Sequence, residues 1–447
     1  MKLYSTNLQA AEVSFETALI EGQAPDKGLY LPRSLPLLSK EDIVSLKDKP
    51  YPEVAFRVLR KVLEGEIDEL SLREIVYDAY NYDVPLEKLN ENTYIMRLDR
   101  GPTASFKDFA ARLMARLMQY YLKKESKKIT ILTATSGDTG SAVAHAFYGL
   151  DNVRVIVLFP RNEVSERQRK QMTTLQKNIS AISIDGKFDD CQAMVKSAFS
   201  DDQLRHLNLS SANSINIGRL IPQSLYYIYA YVNLCNYPEE IIFSIPSGNF
   251  GNMMGCVLAK TMGLPVKKIV ASVNENDEFP SFMSTGEYHK IVPSLNCLSN
   301  AMNVGHPSNL ARLIAVYGGQ MDELGNVNKL PDMEQLRNDI YSISVTDEET
   351  KVTMRDILDS YGILIEPHGA VGIKGLSDYR NNTADKTIAV TLETAHPAKF
   401  PGEVKSVTGI DPELPISLKD AESKEEHMDL LTKDYEKFKE YLLSKLI

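Results

Sequence analysis

The sequence predicts an α/β protein whose strands form open parallel sheets covered by helices on both faces. Three observations carry this. Short apolar runs alternate with helical patterns through the middle of the chain, as crossovers between parallel strands require. Two of those runs end in turns rich in Gly and small hydroxyls that open directly into helices. In sheets of this kind ligands bind at the carboxyl ends of strands. At 447 residues the chain is also too long for one core, so more than one domain is expected.

In chain order, residues 1 to about 95 mix turn signals ("PDKGLYLPRSLP") with helical pattern ("YPEVAFRVLRKVL") and hold no chemical motif. "TASFKDFAARLMARLMQYY", 103–121, reads as a helix, with Thr103 or Ser105 as candidate caps and Asp108 in the first turn. "KITILTAT" (128–135), "NVRVIVLFP" (152–160) and "SAISIDG" (180–186) read as strands, the last followed by a helix "FDDCQAMVKSAF". "EIIFSIPSGNFGN" (240–252) is strand then turn, continuing as the helix "MMGCVLAKTMG". "KKIVASVN" (267–274) and "KTIAVTLET" (386–394) are further strands. The end of the chain reads as an amphipathic helix with Met428, Leu431, Tyr435, Phe438, Leu442 and Leu446 as its stripe.

Composition narrows the function. Net charge is −10 and no basic run with interleaved aromatics occurs, which argues against a nucleic-acid partner. No apolar run approaches membrane-spanning length and the N-terminus lacks signal-peptide form. Cys191, Cys235, Cys256 and Cys297 are scattered without a CxxC pair, which disfavours a zinc site or disulfide framework and suits reduced thiols. A cytoplasmic enzyme without a metal is the expected class.

Lys107 is an odd residue for a helix start, where the dipole disfavours a cation. It is either an exposed surface lysine or one that need not remain an ammonium, such as a lysine in Schiff-base linkage. "SGNFGN", 247–252, is a phosphate cradle: Gly lets the backbone approach, and a helix start offers free N–H groups. It lacks the GKS/T of a P-loop, so a nucleoside triphosphate is not implied. "TATSGDTG", 133–140, has the same setting and suits a carboxylate, with Asp138 alternatively a helix cap. His396 in "TAHPAKF" is a possible general base, and "EPHGAVG" pairs Glu366 with His368. Both histidines are read as satisfying loop hydrogen bonds, and neither makes a metal site by spacing.

The order of these motifs resembles the fold-type II (tryptophan-synthase-β-like) pyridoxal-phosphate enzymes. "MKLYST", "GPTASFKDF", "TATSGDTGSAVAHAFYG", "SANSINIGR", "PSGNFGN", "LSNAMNVGHPSN", "EPHGAV" and "TAHPAKF" are similar, more closely, to the threonine synthases of the bacterial and fungal branch. The resemblance implies two open parallel-sheet α/β domains with an N-terminal α-rich extension. The expected divisions are 1–95 (N-terminal domain), 96–111 with 213–420 (large cofactor domain), 112–212 (small domain) and 421–447 (C-terminal helix).

The implied activity is conversion of O-phospho-L-homoserine and water to L-threonine and phosphate with pyridoxal 5'-phosphate. The alternative is a related phospho-lyase releasing 2-oxobutyrate. By resemblance Lys107 is the Schiff-base lysine. Gly248, Asn249, Phe250, Gly251 and Asn252 grip the cofactor phosphate through backbone N–H groups and the Asn side chains. Thr394 faces the pyridine nitrogen as a neutral hydroxyl that leaves it largely unprotonated. Thr135, Ser136, Gly137, Asp138 and Thr139 hold the substrate carboxylate. Many fold-type II relatives carry Asn where this chain has Asp138, which fits the threonine-synthase branch. "SANSINIGR" offers Ser214, Asn216 and Arg219 for the substrate phosphate, with Arg161 and Lys187 as further basic residues near strand ends.

Overall fold

A computed structural model describes residues 1–446. Two sheets organise it. The large sheet runs Ile340–Ser344, Val266–Val273, Ile241–Pro246, Ala389–Glu393, Thr93–Arg97, Leu86–Asn90. Its neighbours are parallel except the last pair, which is antiparallel. The small sheet runs Asp429–Thr432, Ile179–Asp185, Val153–Pro160, Ile129–Ala134, Leu209–Ser210, all parallel. Every residue of Ile129–Ala134, Ile241–Pro246 and Ala389–Glu393 is buried, as a strand covered on both faces must be. The carboxyl ends of Ile129–Ala134, Ile241–Pro246 and Ala389–Glu393 open into the motifs at 135–139, 247–252 and 394–400.

One helix, Lys107–Glu125, joins the two halves, with Lys107 as its first residue. Its start is clamped by the N-terminal region, where the helices Tyr51–Val62 and Glu69–Ala79 accompany a small antiparallel sheet (Lys2–Ser5, Val13–Ser14, Tyr30–Pro32). Tyr51 and Tyr82 meet the Phe109 ring edge-on at 5.4 and 5.1 Å between centroids, and the Tyr80 hydroxyl donates to the Phe109 carbonyl at 3.0 Å.

Three expectations are corrected. Neither Thr103 nor Ser105 caps the lysine helix: Phe106 stands at the cap and no side chain bonds there. The Thr103 hydroxyl and N–H are instead taken by Asp108 (2.7 and 2.9 Å). The C-terminal segment is not one helix. Asp429–Thr432 is a strand and Tyr435–Leu446 a helix. Pairing Leu431 with Ile184 covers what would otherwise be an exposed sheet edge, and edge coverage outweighs helical periodicity there. Phe438 and Leu442 are buried in the small-domain core; the Leu446 side chain lies outside the described residues. Finally, position 95 falls inside the strand Thr93–Arg97, the 111/112 division inside the lysine helix, and 420/421 inside the helix Ile416–Glu422.

Candidate active site

The site begins with a backbone clasp. The Phe106 N–H donates to the Thr394 carbonyl (2.8 Å) and the His396 N–H to the Ala104 carbonyl (3.0 Å), so Ser105 bridges Ala395 antiparallel. Residues almost 290 apart in sequence are thereby fixed side by side, and Lys107 is set beside the strand end that carries Thr394. Lys399, from the same segment, is fully buried. Its Nζ reaches Asp138 Oδ1 at 2.9 Å and the Thr103 carbonyl at 2.7 Å.

Asp138 therefore joins the two halves of the molecule. Its other oxygen lies 3.9 Å from Lys107 Nζ, and the Gln168 amide donates to Oδ1 at 2.9 Å. Burial works to raise the Asp138 carboxyl, but the charges of Lys399 and Lys107 and the Gln168 amide outweigh it and hold it well below the usual carboxylate range. Burial lowers Lys107 from its ordinary value; Asp138 opposes this, and Lys399 and Arg219 add to it. A largely buried lysine held below its usual range keeps more of its amine neutral, and so available as a nucleophile and proton acceptor, than a surface one at the same pH.

The turn 135–139 is satisfied only in part from within. The Thr135 hydroxyl accepts from the N–H groups of Gly137 (2.9 Å) and Gly140 (2.8 Å). Gly137 takes φ 130°, a conformation that suits glycine. Ser136 and Thr139 are half-buried at the opening, and the Asp138 carboxylate itself is committed to Lys399.

The turn 248–252 differs. Phe250 adopts φ 60° and packs on Phe279. The helix Gly251–Thr261 starts behind it with no side-chain cap, so its first N–H groups are unspent. A Cβ at Gly248 would lie 2.8 Å from Met302 Cα, so the backbone passes where no side chain fits. The asparagines do not point as the sequence reading had them. Asn249 ties the cradle's rim, donating to Ser214 Oγ (2.7 Å) and accepting from the Ser308 N–H (2.6 Å). Asn252 accepts from the hydroxyls of Tyr226 and Tyr227, while its Nδ2 has no partner among the described residues.

Asn216 is brought near the site but is spent. Its amide donates to the carbonyls of Leu19 and Ser211 and its oxygen caps Gly218, leaving nothing for a substrate. Arg219 is different: it is buried, donates to the Ala212 carbonyl at 2.7 Å, and keeps an unpartnered Nε. Burial lowers it to about 10. Arg161 and Lys187 are exposed. His396 is no base: its Nδ1 accepts the Ala398 N–H (3.2 Å), and burial lowers it to about 4. Sequence reasoning missed Lys399 and Gln168; it paired Glu366 with His368, as the structure does, but not with Thr394, whose hydroxyl donates to Glu366 Oε1 at 3.2 Å. Lys399 lies in the quoted motif "TAHPAKF", two residues before a proline-started helix, and was open to notice; Gln168 carries no local signal.

The residues fit pyridoxal 5'-phosphate. A capless helix start behind a left-handed residue suits a phosphate, a depressed lysine suits its aldehyde, and a buried guanidinium with an unpartnered Nε suits a second anion.

Comparison with known proteins gives the same picture. Residues 80–394 match the family model "Pyridoxal-phosphate dependent enzyme", residues 2–80 "Threonine synthase N terminus" and residues 369–442 "Threonine synthase, C-terminal". The chain is 39% identical to a threonine synthase of Haemophilus influenzae, covering 99% of this chain and 100% of that one. It superposes on the PLP-bound threonine synthase of Brucella melitensis with a TM-score of 0.92 at 36% identity, over 99% of this chain and 98% of the other. The yeast threonine synthase gives 0.90 at 29% identity, over 100% and 98%.

Proposed function

The chain belongs to the threonine synthase family of pyridoxal-phosphate-dependent enzymes, and we propose that Lys107, Asp138, Lys399, Arg219, Thr394 and the turn 248–252 are its working parts. It is a lyase of threonine biosynthesis. The substrate is O-phospho-L-homoserine: phosphate leaves from Cγ, water adds its hydroxyl at Cβ, and Cγ takes up a proton to become the methyl group of L-threonine. The observation that supports these roles best is the clasp between 104–106 and 394–396, which gathers Lys107, Thr394 and the Lys399–Asp138 pair at one point.

In this reading Lys107 holds the cofactor through its amine, the N–H groups at the start of Gly251–Thr261 take the cofactor phosphate, and Thr394 meets the ring nitrogen. When bound, the cofactor supplies an electron sink that makes protons at Cα and Cβ acidic. With its amine free, as here, Lys107 lies 3.9 Å from Asp138; it would serve as the base, and Asp138 would keep its ammonium form accessible for returning a proton. Ser136, Thr139 and the free N–H groups of the turn 135–139 orient the substrate carboxylate. Arg219, dry and with an unpartnered Nε, takes the substrate phosphate and stabilises it as it leaves. The Lys399–Asp138 pair fixes the small-domain turn against the large domain, so a substrate carboxylate and its reacting carbons are held in register.

Four separate, buried, unbridged thiols support a reducing compartment, the cytoplasm. Incubating the holoenzyme with O-phosphohomoserine and identifying the products tests the assignment. Equal amounts of threonine and phosphate are expected; 2-oxobutyrate in place of threonine would make the enzyme a degradative lyase instead.

A further inference from the structure

We infer that Arg312 is the fixed positive charge behind the turn 248–252, a positioning residue that acts through Asn309 and Ser214 to hold the cofactor phosphate there in its doubly charged form. The inference rests on the reading of that turn as the phosphate cradle and adds to it a cation that does not itself touch the phosphate.

Arg312 lies in the helix Leu310–Val316 and is fully buried. Its Nε donates to the Tyr30 carbonyl (3.0 Å), Nη1 to the Ser214 carbonyl (3.1 Å) and to Asn309 Oδ1 (2.7 Å), and Nη2 to the Ile215 carbonyl (2.6 Å). All four acceptors are neutral. The acids of the surrounding elements are engaged elsewhere. Glu21 accepts the Tyr30 hydroxyl, Asp26 that of Ser5, Glu323 the Asn7 amide, and Asp339 the Tyr317 hydroxyl beside Lys260. Glu278, pushed up to about 8 by burial, is largely uncharged at neutral pH. His306, bonded to Tyr288 and lowered by burial, is neutral as well. The cations Lys107 and Lys399 are turned to Asp138. No neighbouring charge moves Arg312; burial alone lowers it, to about 9, which leaves it a cation at neutral pH. A buried cation that meets only neutral oxygens is costly, and an anion seated close by offsets that cost.

Two links join this charge to the cradle. Asn309, with its oxygen on Arg312, donates through Nδ2 to the Asn249 carbonyl at 2.9 Å. Ser214, with its carbonyl on Arg312, accepts the Asn249 amide on its hydroxyl at 2.7 Å. Asn249 is thus held by both its backbone and its side chain. The peptide from Asn249 to Phe250 is trans, so its N–H points opposite to its C=O. Drawing the Asn249 carbonyl back to Asn309 turns the Phe250 N–H the other way, and that N–H finds no acceptor among the described residues. The same two residues back the helix start: a Cβ at Gly251 would lie 3.5 Å from Ser214 Cβ and 3.7 Å from Asn309 Nδ2. A dry guanidinium so close behind the donors favours the doubly charged phosphate over the singly charged one, because little water screens it.

The test is 31P NMR of the holoenzymes between about pH 5 and about pH 8, a range that spans the ~6 at which a free phosphate monoester takes up its proton. The parent resonance should stay at the doubly charged position throughout. Arg312→Gln should bring a titration midpoint up into the range and loosen cofactor binding at neutral pH by about tenfold, the equivalent of one unit. Arg312→Lys keeps the charge and should keep the parent titration. A parent that titrates at the free value, or a midpoint unmoved in Arg312→Gln, overturns the inference. A midpoint that moves as far in Arg312→Lys as in Arg312→Gln makes the effect one of shape and also overturns it. Gly248→Val checks the cradle itself. A parent-like resonance and affinity in that variant place the phosphate elsewhere, and both readings fall; a displaced resonance there with an unmoved midpoint in Arg312→Gln removes the inference alone. Should Arg312→Gln not fold, Asn309→Leu, which cuts the link and leaves the arginine in place, replaces it with the same expected outcome.

Discussion

In the turn 135–139 a threonine hydroxyl takes up N–H groups of the turn and the helix start; in the turn 248–252 the N–H groups at the helix start are left without a side-chain cap. Both follow a fully buried parallel strand and both open a helix. In the first, Thr135 takes up two of the N–H groups and a carboxylate, Asp138, stands at the helix start, held by Lys399 from the other half of the molecule. In the second no side chain caps the helix, and no charge sits in the turn. Sequence composition made them look like variants of one device. Their different treatment of free N–H groups and charge is what supports the proposed division of labour, the turn 248–252 as cofactor cradle and the turn 135–139 as substrate clamp beside Lys107.

Both turns are useful only through Lys107, so Lys107→Arg should show the largest effect. Arginine cannot link to the aldehyde and is not a base at neutral pH. The variant should lose the visible absorbance of lysine-bound cofactor and all measurable threonine formation. Retained activity would remove the basis of the comparison.

The next effect breaks the first turn's tie. Lys399→Met strands the buried Asp138 carboxylate, and removing one partner of a buried pair costs about 3–5 kcal/mol. The pH sign follows from the lowered carboxyl. In the parent, the stabilisation from Asp138 is complete above the unfolded carboxylate value and is lost only as pH falls through the still lower folded value. In Lys399→Met only Lys107 and the Gln168 amide still oppose burial, so Asp138 takes up a proton at a higher pH than in the parent. Urea unfolding should show a stability gap that is widest at neutral pH and narrows on acidification. A gap independent of pH would mean the loss comes from packing, not from the pair.

Glycine substitution separates the turns directly. Gly248→Val drives a side chain into the Met302 backbone and displaces the cradle. Cofactor affinity should fall on the order of a hundredfold, the usual result of ångström-scale misplacement. Gly137→Val meets first the Gln168 side chain, at 2.5 Å, which is bonded to Asp138 on the substrate side, and it is strained at φ 130°. It should bind cofactor nearly as the parent does and lose its effect on the substrate side, read in KM. Equal losses of cofactor affinity in the two variants would erase the distinction drawn above.

The strands and both turns were legible because they are local: an apolar run followed by Gly and small hydroxyls states strand, turn and helix start within a dozen residues. What was illegible is what spans distance. Nothing near Lys399 says that it meets Asp138 from 261 residues away, or near Glu366 that it receives the Thr394 proton. Asn216 misled for the opposite reason. An amide in a polar-looking loop suggests a ligand, yet this one is buried, with its oxygen spent on Gly218 and its amide on the carbonyls of Leu19 and Ser211. The strand Asp429–Thr432 was hidden because its leucines also fit a helical stripe, and only the open edge of Ile179–Asp185 decides between the two.

The smallest effect tests whether the charge in the first turn governs the lysine. Asp138→Asn keeps the shape, and its amide oxygen can still accept from Lys399. Lys107 loses the larger of the two negative charges that raise it, keeping only Glu366, while burial and the cations Lys399 and Arg219 continue to lower it. Its ammonium should therefore titrate at a lower pH than in the parent. Capture of free pyridoxal phosphate by the apoenzyme needs the neutral amine, and each unit of pKa is about tenfold in that fraction. Loading by the variant should be severalfold faster than by the parent at mildly acidic and neutral pH, with the two rates converging at high pH where both lysines are neutral. Asn252→Ala, a change in the second turn that removes no charge, should leave the pH dependence of loading where it is. Slower loading in Asp138→Asn, or an equal shift in Asn252→Ala, would show that the turn acts on Lys107 through its position and not through its charge.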